Sequence, residues 1–134
     1  MSVDPSLALQ KAIRDAVKGE SPALASGRIY DRPPAVATFP YITIGEGQSI
    51  SNIADCYDGT ESFLAVHVWS REVGFPEAKQ IADGLRDLLR QDSLTVTGHT
   101  LELFEFQSSR FLRDPDGLTN HIAMSFRALT QPAD

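Results

Sequence analysis

The chain of 134 residues has a single cysteine, Cys56. One thiol excludes an internal disulfide and any cysteine-rich zinc site, and it suits synthesis and assembly in a reducing compartment. Basic residues are also scarce. Twelve Lys and Arg stand against 18 Asp and Glu, a net charge of −6. A protein that grips nucleic acid through its phosphates needs the opposite sign, so sequence-independent DNA binding is disfavoured. No apolar run approaches the ~20 residues of a membrane helix, because charges, Pro or Gly interrupt every stretch. The opening Met1-Ser2-Val3-Asp4-Pro5 lacks the basic start and apolar block of a secretory signal. No membrane role is expected.

What is present suits one soluble globule. Hydrophobic residues at 42% against charged residues at 22% exclude the composition of a disordered chain. The length predicts a single domain, residues 1–134, large enough to bury a core without staples.

Periodicity predicts the elements. Asp4 as N-cap and Pro5 at N1 open a first helix with a stripe of Leu9, Ala12, Ile13, Ala16 and Val17, closed by Lys18 and a C′ Gly19. Arg28–Asp31 reads as a short strand candidate closed by Arg32-Pro33-Pro34, an edge or a turn, since consecutive prolines cannot join a ladder. A β-rich run follows over Phe39–Ile44. Gln48–Thr60 reads as a long covering loop or arm. Glu61–Arg71 alternates Leu64, Val66 and Val68 on one face with Phe63, Ala65, His67 and Trp69 on the other, which suits a central strand. A second helix is predicted over about Pro76–Arg90, with Ala78, Ile81, Ala82, Leu85, Leu88 and Leu89 inward. Its internal Gly84 implies close packing against a neighbour.

Three β segments follow, Leu94–Thr97, Thr100–Phe106 and Asn120–Leu129, with a turn at Gly98-His99. In the last, Ile122, Met124, Phe126 and Ala128 share one face, while His121, Ala123, Ser125 and Arg127 share the other. Asp114-Pro115-Asp116-Gly117 is a turn, because Pro fixes φ and Gly accepts a positive φ. The order predicts an α+β fold: an antiparallel sheet with two helices packed on one face and the other face partly apolar. Gln48–Thr60 and Gln107–Leu118 are expected to be contact loops, since Ile50, Ile53, Phe111 and Leu112 suit a covered surface.

Catalytic constellations are thin. His67, His99 and His121 are far apart in sequence, so a metal site would need folding to bring all three together. Cys56 follows Asp55, whose charge would raise a thiol pKa and not activate it. Gly45-Glu46-Gly47 lacks the lysine and helix of a phosphate loop, and Asp114–Gly117 lacks the closing glutamate of a calcium loop. The strand-end arginines Arg28, Arg32, Arg71, Arg110, Arg113 and Arg127, with Asp31, Glu72, Asp114 and Asp116 beside them, fit either a solvated surface or salt bridges between identical subunits.

The sequence resembles the tail-completion, or tail-terminator, proteins of long-tailed phages and gene transfer agents. The matching stretches are Arg28–Asp31, Phe39–Gly45, His67–Arg71, Glu77–Ala82, Arg113–Gly117 and His121 leading to Phe126-Arg127-Ala128. The run Leu112–Gly117 is shared with the gene-transfer-agent branch. The resemblance implies a non-enzymatic virion part without cofactor or metal. It would form a ring, usually of six copies, that caps the tail tube and meets the head-side neck connector, with DNA passing through unbound. Assembly would take place in the bacterial cytoplasm.

Candidate subunit or tail contacts are Arg32, Tyr41, Ile44, Ile50, Ile53, Arg71, Arg110, Phe111, Leu112, Arg113 and Asp114. Tyr41–Ile44 is one candidate edge for strand addition. A head-side neck adaptor is the alternative. A small enzyme with a site around His67, Trp69 and His121 is a third possibility.

Overall fold

The computed structural model describes residues 4–52 and 59–133; Ile53 and Cys56 lie outside them. Helix α1 spans Ser6–Gly19, β1 Ile29–Tyr30, β2 Tyr41–Asn52 and β3 Gly59–Ser70. They are followed by α2, Pro76–Leu88, then β4, His99–Arg113, and β5, Asn120–Pro132. The five strands form one sheet in the order β1-β2-β3-β5-β4. The fold is α+β, and β3 is its central strand as alternation predicted.

One pairing departs from the expected antiparallel sheet. β1 runs parallel to β2, with Ile29 opposite Ile42 and Tyr30 opposite Thr43, while every other pair is antiparallel. The stretch between β1 and β2 is long enough for the chain to return to the start of β2 and run in the same direction. A tight hairpin could not produce that geometry.

Both helices cover one face of the sheet. Leu9, Ala12, Ile13 and Val17 of α1 and Ala78, Ile81, Ala82 and Leu85 of α2 share a core with Ile42, Ile44, Val66, Val68, Ile122, Met124 and Phe126. Leu64 and Leu88 are partly buried against it. Burial of each such large side chain is worth about 1.5–3 kcal/mol. Gly84 has the expected neighbour, for a Cβ there would lie 2.6 Å from Leu24 Cδ2.

Several boundaries move. Pro5 and not Asp4 is the N-cap of α1, and the Asp4 carboxylate receives the Ser6 amide instead, at 3.1 Å. Gly19 is the last helical residue and not a left-handed C′, because Glu20 leaves in an extended conformation. α2 ends at Leu88 and not Arg90, where the Ser93 hydroxyl donates to the Leu88 and Arg90 carbonyls. Leu94–Thr97 is not a strand. Leu94 and Val96 are buried, so the alternation is real, but the segment has no ladder partner.

The two expected contact loops are corrected as well. β2 continues through Asn52 and β3 begins at Gly59, so most of the described part of Gln48–Thr60 is paired strand. β4 continues through Arg113, which places Phe111 and Leu112 in the ladder and leaves Asp114–Thr119 as the connecting turn. Polar residues such as Gln48, Ser49 and Ser51 read as loop in sequence because both their faces are solvated there. Among the described residues no helix is long and apolar enough to cross a membrane.

Candidate functional site

The open face of the sheet gathers residues from four strands. Thr43 of β2, His67 of β3 and Ala123 of β5 form one cross-strand row, which continues to Arg110 of β4. The next row runs Tyr41, Trp69, His121 and Leu112. Trp69 stacks on His121 with ring centres 3.8 Å apart, and Tyr41 lies 6.2 Å on its other side. The Trp69 indole N–H donates to Thr43 Oγ1 at 3.0 Å. Phe39 joins Tyr41 at 5.0 Å and carries the Arg71 guanidinium over its ring at 4.4 Å.

His67 and His121, 54 positions apart, meet through Nδ1 and Nε2 at 2.7 Å. His67 Nε2 lies 3.2 Å from Glu46 Oε1. Both neutral rings are satisfied when His121 donates to His67 and His67 donates to Glu46. Burial lowers the His121 pKa, and the neighbouring His67 lowers it further. The Glu46 carboxyl is lowered chiefly by its own backbone amide and then by His67. Burial raises the Tyr41 phenol. His99 lies elsewhere, its Nδ1 on Thr97 O at 3.1 Å.

Among the described residues no group of three His, Cys, Asp or Glu side chains could hold a metal ion. Both nitrogens of His67 and Nε2 of His121 are engaged with each other and with Glu46. A groove of about 280 Å³ with Glu46, Ala65 and Ser125 in its lining lies beside the histidine pair, and others of about 320 and 510 Å³ lie beside α1.

Glycine makes this arrangement possible. A Cβ at Gly45 would sit 2.5 Å from His67 Nε2, and one at Gly47 would sit 2.8 Å from the Phe63 carbonyl, where the β2–β3 register shifts. Gly45-Glu46-Gly47 is therefore a bulge that brings Glu46 to the histidine pair. Sequence alone grouped His67, Trp69 and His121 on the exposed face, and the structure brings the three together. Nothing in the sequence signalled that Glu46 joins them.

Most strand-end arginines have uses inside the chain. Arg28 donates to the Pro40 carbonyl at 2.9 Å, and Arg71 donates to Thr119 Oγ1 at 3.0 Å and pairs with Asp116 at 3.5 Å. Arg127 binds Glu61 and Glu105, and Arg113 lies 5.3 Å over the Phe75 ring. Arg32 and Arg110 are exposed and make no ion pair among the described residues.

The remaining candidates are scattered. Ile44 is buried in the core, Tyr41, Leu112 and Asp114 are half-buried, and Ile50 and Phe111 are exposed. Lys79 of α2 lies 4.7 Å over the Phe111 ring. Tyr41–Ile44 is not an open edge along its length, because β1 pairs with it at Ile42 and Thr43 while β3 flanks its other side. The open edges are the distal half of β2 and the whole outer side of β4, which sequence reasoning missed because edge status depends on strand order.

The family model for the tail completion protein gp17 matches residues 11–131. A solved chain from the virion of a native gene transfer agent particle superposes with a TM-score of 0.87 at 22% identity, covering 97% of this chain and 99% of that one. A second solved chain superposes at 0.61 with 16% identity over 96% of this chain and 94% of the other. These likenesses concern the fold. No curated protein matches.

Proposed function

The chain belongs to the tail completion protein gp17 family, and we propose that it forms the ring that caps a finished tail tube and joins it to the head-side connector of a phage or gene-transfer-agent particle. The observation that carries this reading is the family match over residues 11–131, nearly the whole chain. The shared fold with a chain of a gene transfer agent virion supports it. The proposed neighbours are six copies of the chain in one ring, the tail tube protein below and a neck protein above. The site of action is the neck of the virion, after assembly in the bacterial cytoplasm. The role calls for no catalytic step and no cofactor.

Size is compatible with a ring. A compact chain of this length has a radius of gyration of about 14 Å and a width of roughly 35 Å. Six equal discs in a hexagon enclose a hole about one disc wide, roughly 35 Å before loops intrude. A DNA duplex fits. The net charge of −6 suits a lumen through which phosphates slide without being held.

A terminator binds the growing end of the tube and presents a different surface, so the added ring does not recreate the site that accepts the next one. Exposed Arg32, Ile50, Arg110 and Phe111 are the proposed contacts from the sequence candidates. Deletion of the gene is expected to give unattached tails of uncontrolled length beside tailless heads, scored by electron microscopy. Uniform tails joined to heads would refute the role. Free tails of normal length would assign the protein to the head-side neck instead.

A further inference from the structure

The sheet has two unpaired margins that match each other. β1 shields β2 only at Ile42 and Thr43, so the outer side of Gly47–Asn52 has no strand beside it among the described residues. At the opposite margin β4 presents 15 residues with no outer strand among the described residues. Among the described residues a single exposed side chain, Gln91, reaches a β4 carbonyl from outside the sheet, at Leu101. Such rows of free N–H and C=O groups are templates for strand addition. Two bulges in β4, at Leu101/Leu103 and Phe106/Ser108, and the charges of Glu102, Glu105, Arg110 and Arg113 discourage indiscriminate pairing.

Register sets these margins at one level. Ile50 lies opposite Glu61, Glu61 opposite Leu129, and Leu129 opposite Leu103. Ile50 and Leu103 therefore end the same cross-strand row on the same face, and Ile50 is 39% exposed. β2 and β4 run in opposite directions, because three antiparallel steps separate them. A rotation that carries one copy to the next about an axis along the strands brings β4 against β2 in antiparallel sense.

We propose that the sheet continues from copy to copy, the outer edge of β4 over Thr100–Phe106 pairing antiparallel with the outer edge of β2 over Gly47–Asn52 of the next copy. The occupant of each edge is a second copy of this chain. This rests on the ring reading above and adds the bonds that join the ring. Apolar Ile50 is then covered by Leu103. A slip by an even number of residues would keep the faces aligned, whereas an odd slip would reverse them.

The test compares amide hydrogen exchange of the unmodified protein, free and in purified particles. Outer-edge amides of both Gly47–Asn52 and Thr100–Phe106 are expected to slow at least tenfold in particles. A Cys56→Ser chain carrying Ile50→Cys and Leu103→Cys is expected to give a ladder of covalent oligomers when particles are oxidised, and either cysteine alone no ladder. Particles that contain the protein with either edge as unprotected as in the free chain would overturn the proposal while leaving the tail-completion reading intact. Absence of the protein from tails would overturn that reading first, and this one with it.

Discussion

Gly45 and Gly84 show how one missing methyl acts differently in two surroundings. A Cβ at Gly45 would strike the ring of His67, which is held on one side by His121 and on the other by Glu46. Gly45→Ala is therefore expected to cost about 1–3 kcal/mol in urea unfolding, as overpacking does. At Gly84 the obstacle is the mobile end of Leu24, and alanine contributes about 1 kcal/mol of helix propensity in return. Gly84→Ala should fall within about 1 kcal/mol of the parent. The reverse ranking would mean that Leu24 is the rigid neighbour and His67 the yielding one.

The histidine pair also predicts a pH dependence. His121 titrates below its ordinary value near 6.5, because burial and His67 outweigh the opposing charges of Asp114 and Glu46, with Arg110 adding to the lowering. The unfolded chain then binds the proton first, so stability is complete above pH 6.5 and falls as pH drops below it. Urea midpoints between pH 7.5 and 5.5 should decline, and His121→Asn should flatten that decline. An unchanged slope in the variant would remove His121 as its source.

At the scale of elements, α2 is fastened by its apolar stripe and by cations laid over β4. Arg86 lies 4.2 Å over Phe106, while Lys79 covers Phe111. Leu85 is fully buried in the stripe. Leu85→Ala should cost about 2–5 kcal/mol in denaturant unfolding, through lost transfer energy plus the cavity left behind. A loss below about 0.5 kcal/mol would contradict the helix phase. The turn Asp114–Thr119 is held differently. Asp116 accepts the Leu118 and Thr119 amides at 2.8 and 3.0 Å, which keep its carboxyl below the usual range, and Gly117 takes a φ of +72°. That closure joins β4 and β5 as long antiparallel partners.

For the whole molecule, acidity and shape act together. A ring built from a chain of net charge −6 repels phosphates from its lumen unless arginines line it. The purified protein is expected to leave duplex DNA unshifted in gel electrophoresis at about 0.1 M salt, where nonspecific affinity needs many phosphate contacts. Micromolar retention of DNA would contradict free passage. The mixed sheet, helices on one face and an aromatic patch on the other, gives the chain two dissimilar surfaces. A closed heterologous assembly needs such surfaces.

Periodicity by itself determined the helices, the central strand and the two faces of β3 and β5. A stripe at 3.6 residues or an alternation at 2.0 is a local consequence of backbone geometry. Every residue of the expected core, Leu9 through Phe126, is buried or packed against it for that reason. The Gly84 contact and the Asp114–Gly117 turn were legible because glycine and proline carry their constraints locally. Only the tertiary structure decided that β1 lies parallel to β2, that β4 runs on to Arg113 and that Ile42 and Thr43 have a strand on each side. It alone joined His67 to His121 across 54 positions. Strand order and register arise from contacts between distant segments, whose stability depends on the whole core and leaves no mark in a short window of sequence.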